Sequence, residues 1–235
     1  MAKKNKEISS SNLIKVKPIT EGQKSVFETW KKGQNQFLFG CAGTGKTFIS
    51  LYLAMQDVLD LKKKYDKVIL VRSLIPTREI GFLPGDEEDK AALYQVPYQN
   101  MVKFMFEQPN EQAFNMLYDR LKNQGSLYFL STSFLRGLTF DNSIIIVDEC
   151  QNLNFHELDT ITTRVGQDSK IVFCGDFSQT DLLKQNEKNG LHDFLRILME
   201  MQEFNCVEFN IGDIVRSGFV INYLIQKTKL GMGME

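Results

Sequence analysis

The sequence predicts an α/β domain with a mostly parallel sheet and helices on both of its faces. Three observations point there. Six short apolar runs, at 36–39, 68–71, 127–130, 144–147, 171–174 and 206–209, are separated by stretches with helical spacing. The first run enters a glycine-rich turn that opens directly into a helical pattern. The fourth ends in two carboxylates, at the kind of strand end where open α/β sheets bind ligands.

Residues 1–19 read as a flexible lead, because the segment begins lysine-rich and polar. A helix comes next over 20–31, with Thr20 as its cap and Val26, Phe27 and Trp30 as its apolar stripe. The strand 36–39 leads into the turn, and Ile49, Leu53, Met55, Val58 and Leu59 support a helix over 46–64. After the strand 68–71 the alternation is interrupted. Residues 72–125 read as a loop and helical insertion, acidic at 86–89 and broken by Pro97 and Pro109. Strands and helices then alternate to the end, so 20–235 reads as one domain, of a size that buries a single core.

Composition excludes several classes. With 28 basic and 29 acidic side chains the net charge is -1, so the chain as a whole does not advertise nucleic acid, although a local basic stripe remains compatible with it. No run approaches the ~20 apolar residues that span a bilayer, and the basic start lacks the apolar stretch of a signal peptide. Cys41, Cys150, Cys174 and Cys206 never form a C-x-x-C pair, and His156 and His192 are isolated. Reduced thiols, a cytoplasmic setting and no zinc site are the expectation.

The turn at 40–47 satisfies G-x-x-x-x-G-K-[ST], with Gly40, Cys41, Ala42, Gly43, Thr44, Gly45, Lys46 and Thr47. Its glycines let successive backbone N–H groups turn toward phosphates at the positive end of the next helix. Lys46 is expected to reach the β- and γ-phosphates of ATP and Thr47 to hold Mg²⁺. Asp148 completes the Mg²⁺ shell, and Glu149 orients and deprotonates the attacking water. A second carboxylate of this kind suits hydrolysis better than transfer to a small acceptor. A guanine-reading N-K-x-D is missing; 186–189 reads N-E-K-N, in the wrong order and without the acid.

Three further positions are candidates. Gln179 comes after the strand 171–174, where its amide suits a γ-phosphate sensor; a capping turn by Asp176 is the plainer reading of that segment. Arg216 is expected to open the last helix and to supply the transition-state cation, with Arg164 the second choice. For each, an exposed arginine or helix-end ion pair is the alternative. Gln23, in the helix before the loop, has an amide able to pair with an adenine edge.

Taken together, these motifs resemble the PhoH-like family. The resemblance covers 20 to the carboxyl end: the loop 40–47, GFLPGD at 81–86, LRGLTF at 135–140, DECQN at 148–152, TRVG at 163–166, GDFSQ at 175–179 and DIVR at 213–216. Cys150 stands where the family usually has alanine. The short length is like that of a phage or bacterial member. The resemblance implies one RecA-like P-loop NTPase core of the superfamily 1 helicase kind, with Mg²⁺ and ATP as cofactors. It also implies a ring-shaped homo-oligomer, a hexamer by expectation, and makes Gln23 a nucleotide contact.

The leading functional expectation is ATP hydrolysis coupled to binding or remodelling single-stranded RNA or DNA, with Arg72, Ser131, Thr132, Ser133 and Arg136 facing the phosphate backbone. The rival is an ATP-dependent switch acting on a protein partner through the acidic segment 86–89.

Overall fold

A computed structural model describes residues 8–60, 62, 64–73, 87–132, 135, 137–176 and 190–229. Six strands form one sheet in the order β3-β2-β4-β5-β1-β6. They are β1 (Asn35–Gly40), β2 (Lys67–Arg72), β3 (Leu127–Ser131), β4 (Ser143–Val147), β5 (Lys170–Gly175) and β6 (Phe204–Phe209). Every adjacent pair is parallel, with Gly40 opposite Phe209, Phe39 opposite Gly175 and Arg72 opposite Ser131. All six carboxyl ends therefore share one edge. β5 lies between β1 and β4, so the chain leaving it emerges between the glycine-rich turn and the acidic pair.

The interior strands are continuous apolar runs because helices cover them on both sides. Successive residues feed opposite faces: Leu38, Val68, Leu70, Ile144, Ile146 and Val172 join one core cluster. Phe37, Phe39, Ile69, Val71, Ile145 and Phe173 join the other. Over the first face lie α1 (Glu21–Lys31), α2 (Lys46–Val58), α3 (Glu87–Met105) and α4 (Glu111–Asn123). Over the second lie α5 (Phe155–Thr162) and α6 (Leu191–Glu200); α7 (Gly218–Lys229) comes after β6. This is the RecA-like P-loop architecture that the sequence predicts. Thr20 caps α1 as expected, its side chain accepting from Gln23 N.

Four expectations are corrected. The lead is held from Ile8 onward: Ile8 and Leu13 are buried, Ser10 N donates to Leu59 O at 2.9 Å, and Ile14 N donates to Met105 O at 2.8 Å. Ile8 and Leu13 join the first core cluster, and the two backbone bonds tie the segment to the ends of α2 and α3. α2 stops at Val58, since beyond the buried Leu59 the lysine-rich stretch has no apolar stripe to hold. Pro97 lies inside α3 and does not end it. The burial of Tyr98, Val102 and Met105 on the same helix outweighs its missing N–H.

The last helix begins at Gly218 and not at Asp213. Asp213 is an anchor instead, its Oδ1 accepting from Gly22 N and its Oδ2 from Asn210 N, both at 2.9 Å. The insertion also contributes to the core. α3 and α4 form the described part of the β2-to-β3 crossover and contribute Tyr98, Met105, Phe114 and Leu121 to the core.

Candidate active site

β1 delivers the chain to Gly40, where φ is +115° and a Cβ would collide with Phe209 O. Only glycine fits there. The loop is clamped from outside at three points. Cys41 N donates to Phe209 O at 2.9 Å, Val215 N to Gly43 O at 3.0 Å, and Gln23 Nε2 to Thr44 O at 3.1 Å. Thr44 and Lys46 are buried. Lys46 Nζ donates to Cys41 O at 2.8 Å and pairs with Asp176 Oδ1 at 2.7 Å. Ala42 is exposed at the loop's outer turn.

Asp148 comes directly after β4, its N–H donating to Val71 O at 2.9 Å. Both of its carboxylate oxygens are engaged. Oδ1 accepts from Thr47 Oγ1 at 2.6 Å, and Oδ2 from the Tyr98 hydroxyl at 2.7 Å. Glu149 takes the left-handed conformation, φ 53°, which turns the chain sharply at the mouth of the cavity that its side chain helps to line. Burial raises its pKa, as do the charges of Asp148 and Asp176, while a bond from Gln151 and the charge of Arg72 oppose the rise. Gln151 links the two strand ends: its Nε2 donates to Glu149 Oε2 at 2.6 Å, and its Oε1 accepts from Asp176 N at 3.1 Å.

Arg72, at the end of β2, faces the same cavity, its guanidinium 5.7 Å from the centre of the Tyr94 ring. Burial works against its charge, but Tyr98, Glu149 and Asp148 outweigh it and raise the pKa. Ser131, opposite Arg72 on β3, is buried, and its Oγ has no hydrogen-bond partner among the described residues. The groups around the loop, Asp148, Glu149 and Arg72 line a cavity of about 870 Å³, large enough for a nucleotide. Its floor is the loop, its roof is α3, and Arg216 closes one side.

Gly43, Gly45, Lys46, Thr47, Asp148, Glu149, Gln23 and Arg216, all selected from the sequence, line this one cavity. The Arg216 stem lies against the loop, its Cγ 3.0 Å from where a Cβ on Gly43 would be. Gln23 is 4% exposed, and its Oε1 accepts from Ile19 N at 2.9 Å, so both ends of its amide already have protein partners. Arg164 does not join them: its carbonyl accepts from Phe140 N beyond α5, at the edge where β4 and β5 begin. Gln179, Ser133, Arg136 and the loop 81–86 lie outside the described residues. Tyr98 was invisible in the sequence, for no motif marks it. Gln151 sits within the DECQN motif, but nothing there indicates a bridge. Cys150 and Cys174 are buried beneath the site, Cys174 Sγ 3.5 Å from Ser50 Oγ.

Comparison with known proteins bears on the family and the fold. The family described as PhoH-like protein matches residues 15–226. A PhoH-like protein of Synechocystis sp. is 32% identical over 206 residues, which cover 87% of this chain and 60% of that one. Protein PhoH of Escherichia coli (strain K12) is 32% identical over 199 residues, 84% of this chain and 54% of that one. Protein PhoH2 of Bacillus subtilis is 36% identical over 145 residues, 61% of this chain and 32% of that one. The chain thus spans about a third to three fifths of the length of these curated relatives. Among solved structures, the large terminase of a thermophilic bacteriophage is similar in fold, with a TM-score of 0.52 at 12% identity. That match covers 90% of this chain and 50% of the terminase.

Proposed function

The chain belongs to the PhoH-like family, and from that premise we propose that it binds Mg-ATP over residues 40–47 and hydrolyses it. One observation carries the reading: the Thr47 hydroxyl and the Asp148 carboxylate meet at 2.6 Å, with Glu149 at the mouth of the same cavity. Two hard oxygen donors suit Mg²⁺, which is commonly held by one or two protein oxygens together with nucleotide phosphates. The ion would supply charge neutralisation between the β- and γ-phosphates.

The chain's own groups do the rest. Backbone N–H groups of the loop cradle the phosphates, and Lys46 moves from Asp176 to the β- and γ-oxygens. Glu149 takes the proton of the attacking water; its raised pKa brings it nearer the range where a carboxylate is an effective base. Arg216, packed on its own loop, meets the charge that develops on the transferred phosphoryl group. Gln179, beyond the end of β5, reports the γ-phosphate. Gln23 acts on the nucleotide through the loop it holds at Thr44.

Hydrolysis is coupled, in this reading, to single-stranded RNA or DNA lying over the carboxyl edge, within a cytoplasmic homo-oligomer. Support comes from Arg72, at the carboxyl end of β2, a cation that lines the same cavity as Glu149. A strand touching Arg72 would touch the site's own wall. The test is phosphate release from Mg-ATP with and without single strands, with Glu149→Gln as control. Stimulation that the variant lacks supports the coupled enzyme. Hydrolysis indifferent to every strand sinks the nucleic-acid step and favours a protein-partner switch.

A further inference from the structure

The cavity is polar at one end and apolar at the other. Asp148, Glu149, Asp176 and Arg72 mark the end where a terminal phosphate would sit. Away from them, along the first turn of α2, the lining becomes Val16, Ile19, Phe48, Met101 and Phe104. Phe104 is 63% exposed and Ile19 73%, yet both face a cavity whose floor is a phosphate-binding turn. Phe48 sits next to Thr47 in the chain, and its ring meets Phe104 edge-on at 5.7 Å. α3 spans both ends, with Tyr98 above Asp148 and Phe104 six residues further on. At the helical rise that separation is about 9 Å, the scale of a triphosphate with its ribose.

Resting on the P-loop reading above, we propose that Phe104 and Phe48 form a stacking platform for the base, and that the site takes nucleoside triphosphates with little regard to which base they carry. A base edge is read by paired donors and acceptors, and at this end the one side-chain amide in the lining, Gln23, is 4% exposed and turned to protein partners. Gln23 Oε1 accepts from Ile19 N, and its Nε2 donates to Thr44 O. Pro18 has no N–H to offer and those of Val16 and Ile19 are taken, so apart from the flexible Lys17 side chain the 16–19 segment contributes apolar groups more than a readable edge. Stacking tolerates any base, because every base has a π face. The absent N-K-x-D motif fits the same picture: guanine is neither singled out nor refused.

The test is displacement of a fluorescent N-methylanthraniloyl-ATP, in Mg²⁺, from the intact chain. The competitors are ATP, GTP, CTP, UTP and inorganic tripolyphosphate, applied to wild type and to Phe104→Ala, Phe104→Trp and Lys46→Ala. The four nucleotides are expected to compete within about tenfold of one another. Phe104→Ala should weaken all four by about tenfold while leaving tripolyphosphate unchanged, and Phe104→Trp should restore them. A preference of about a hundredfold or more for ATP would overturn the proposal, since that requires a read edge. An unchanged Phe104→Ala, or one that loses tripolyphosphate equally, would overturn it too. Lys46→Ala binding as well as wild type would instead sink the P-loop reading, and no binding of the fluorescent nucleotide to wild type would sink both.

Discussion

The Tyr98 hydroxyl donates to Asp148 Oδ2 across 2.7 Å, while Thr47 donates to the other oxygen of the same carboxylate at 2.6 Å. Asp148 is thereby fixed between the P-loop and the roof helix. Desolvation, reinforced by the negative charge of Asp148, raises the Tyr98 pKa, so the phenol stays a donor at any working pH. Tyr98→Phe keeps the ring against Phe129, 5.7 Å away, and removes only the hydroxyl. Loss of a bond to a charged group is worth ~1.5–3 kcal/mol. The expected result is a Mg²⁺ requirement raised about tenfold, read from Mg²⁺-dependent binding of a fluorescent nucleotide. An unchanged Mg²⁺ midpoint would show that Tyr98 does not orient Asp148.

Glu149→Gln should retain nucleotide and lose turnover. The amide preserves the shape of a side chain bonded to Gln151 at 2.6 Å but cannot take a proton. A fall of roughly 10²–10⁴ in kcat with little change in nucleotide affinity is expected. Single-turnover phosphate release checks it; a variant with undiminished kcat would remove Glu149 from the chemistry.

Arg216 packs on the loop of its own chain, beside the Val215 N to Gly43 O bond of 3.0 Å. Arg216→Ala should lower hydrolysis by about 10³ or more. Mixing that variant with Lys46→Ala should leave the mixture inactive, since neither chain holds a complete site. Recovered activity would mean that the arginine reaches across to a neighbouring chain.

Lys170 predicts an alkaline signature. It is 2% exposed, its Nζ lies 4.1 Å from the centre of the Trp30 ring, and it donates to Trp30 O at 3.2 Å. Burial lowers its pKa to about 8, against the opposing pull of Asp57. The unfolded chain then binds more protons between about 8 and 10.5, so this group's contribution to stability rises with pH across that window. The full effect is on the order of 3 kcal/mol. Urea unfolding of wild type and Lys170→Gln, monitored through the sole tryptophan, should show their difference moving toward wild type as the pH is raised through that window. Parallel profiles would mean that folding leaves the lysine's pKa unchanged.

The six strands were legible to within a residue or two because a strand covered on both faces has to be continuously apolar, as 144–147 is. The site was legible where chemistry demands a local spacing, as in 40–47 and the pair Asp148 and Glu149. It was not legible where tertiary packing brings distant residues together. Tyr98 lies fifty positions from Asp148 and belongs to a helix that Pro97 argues against. Ile8 and Leu13 show no helical or strand period in the lead, and what buries them depends on α2 and α3 being in place. Gln23 shows a third kind of limit, since its type suits a base edge while its bonds to Ile19 and Thr44 depend on where the loop passes.

Among the described strands, the one that carries the P-loop pairs with β5 and β6, both far downstream of it in the chain. On the ribosome, Gly40 emerges long before Phe209, whose carbonyl accepts from Cys41 N and sets the loop's first turn. Pairing over such sequence distances is slow, and parallel pairing especially so. Until β5 and β6 have been made, β1 lacks both of its neighbours. Competence to hold a nucleotide therefore waits for β6, and a product truncated before it would lack the carbonyl that sets the loop's first turn.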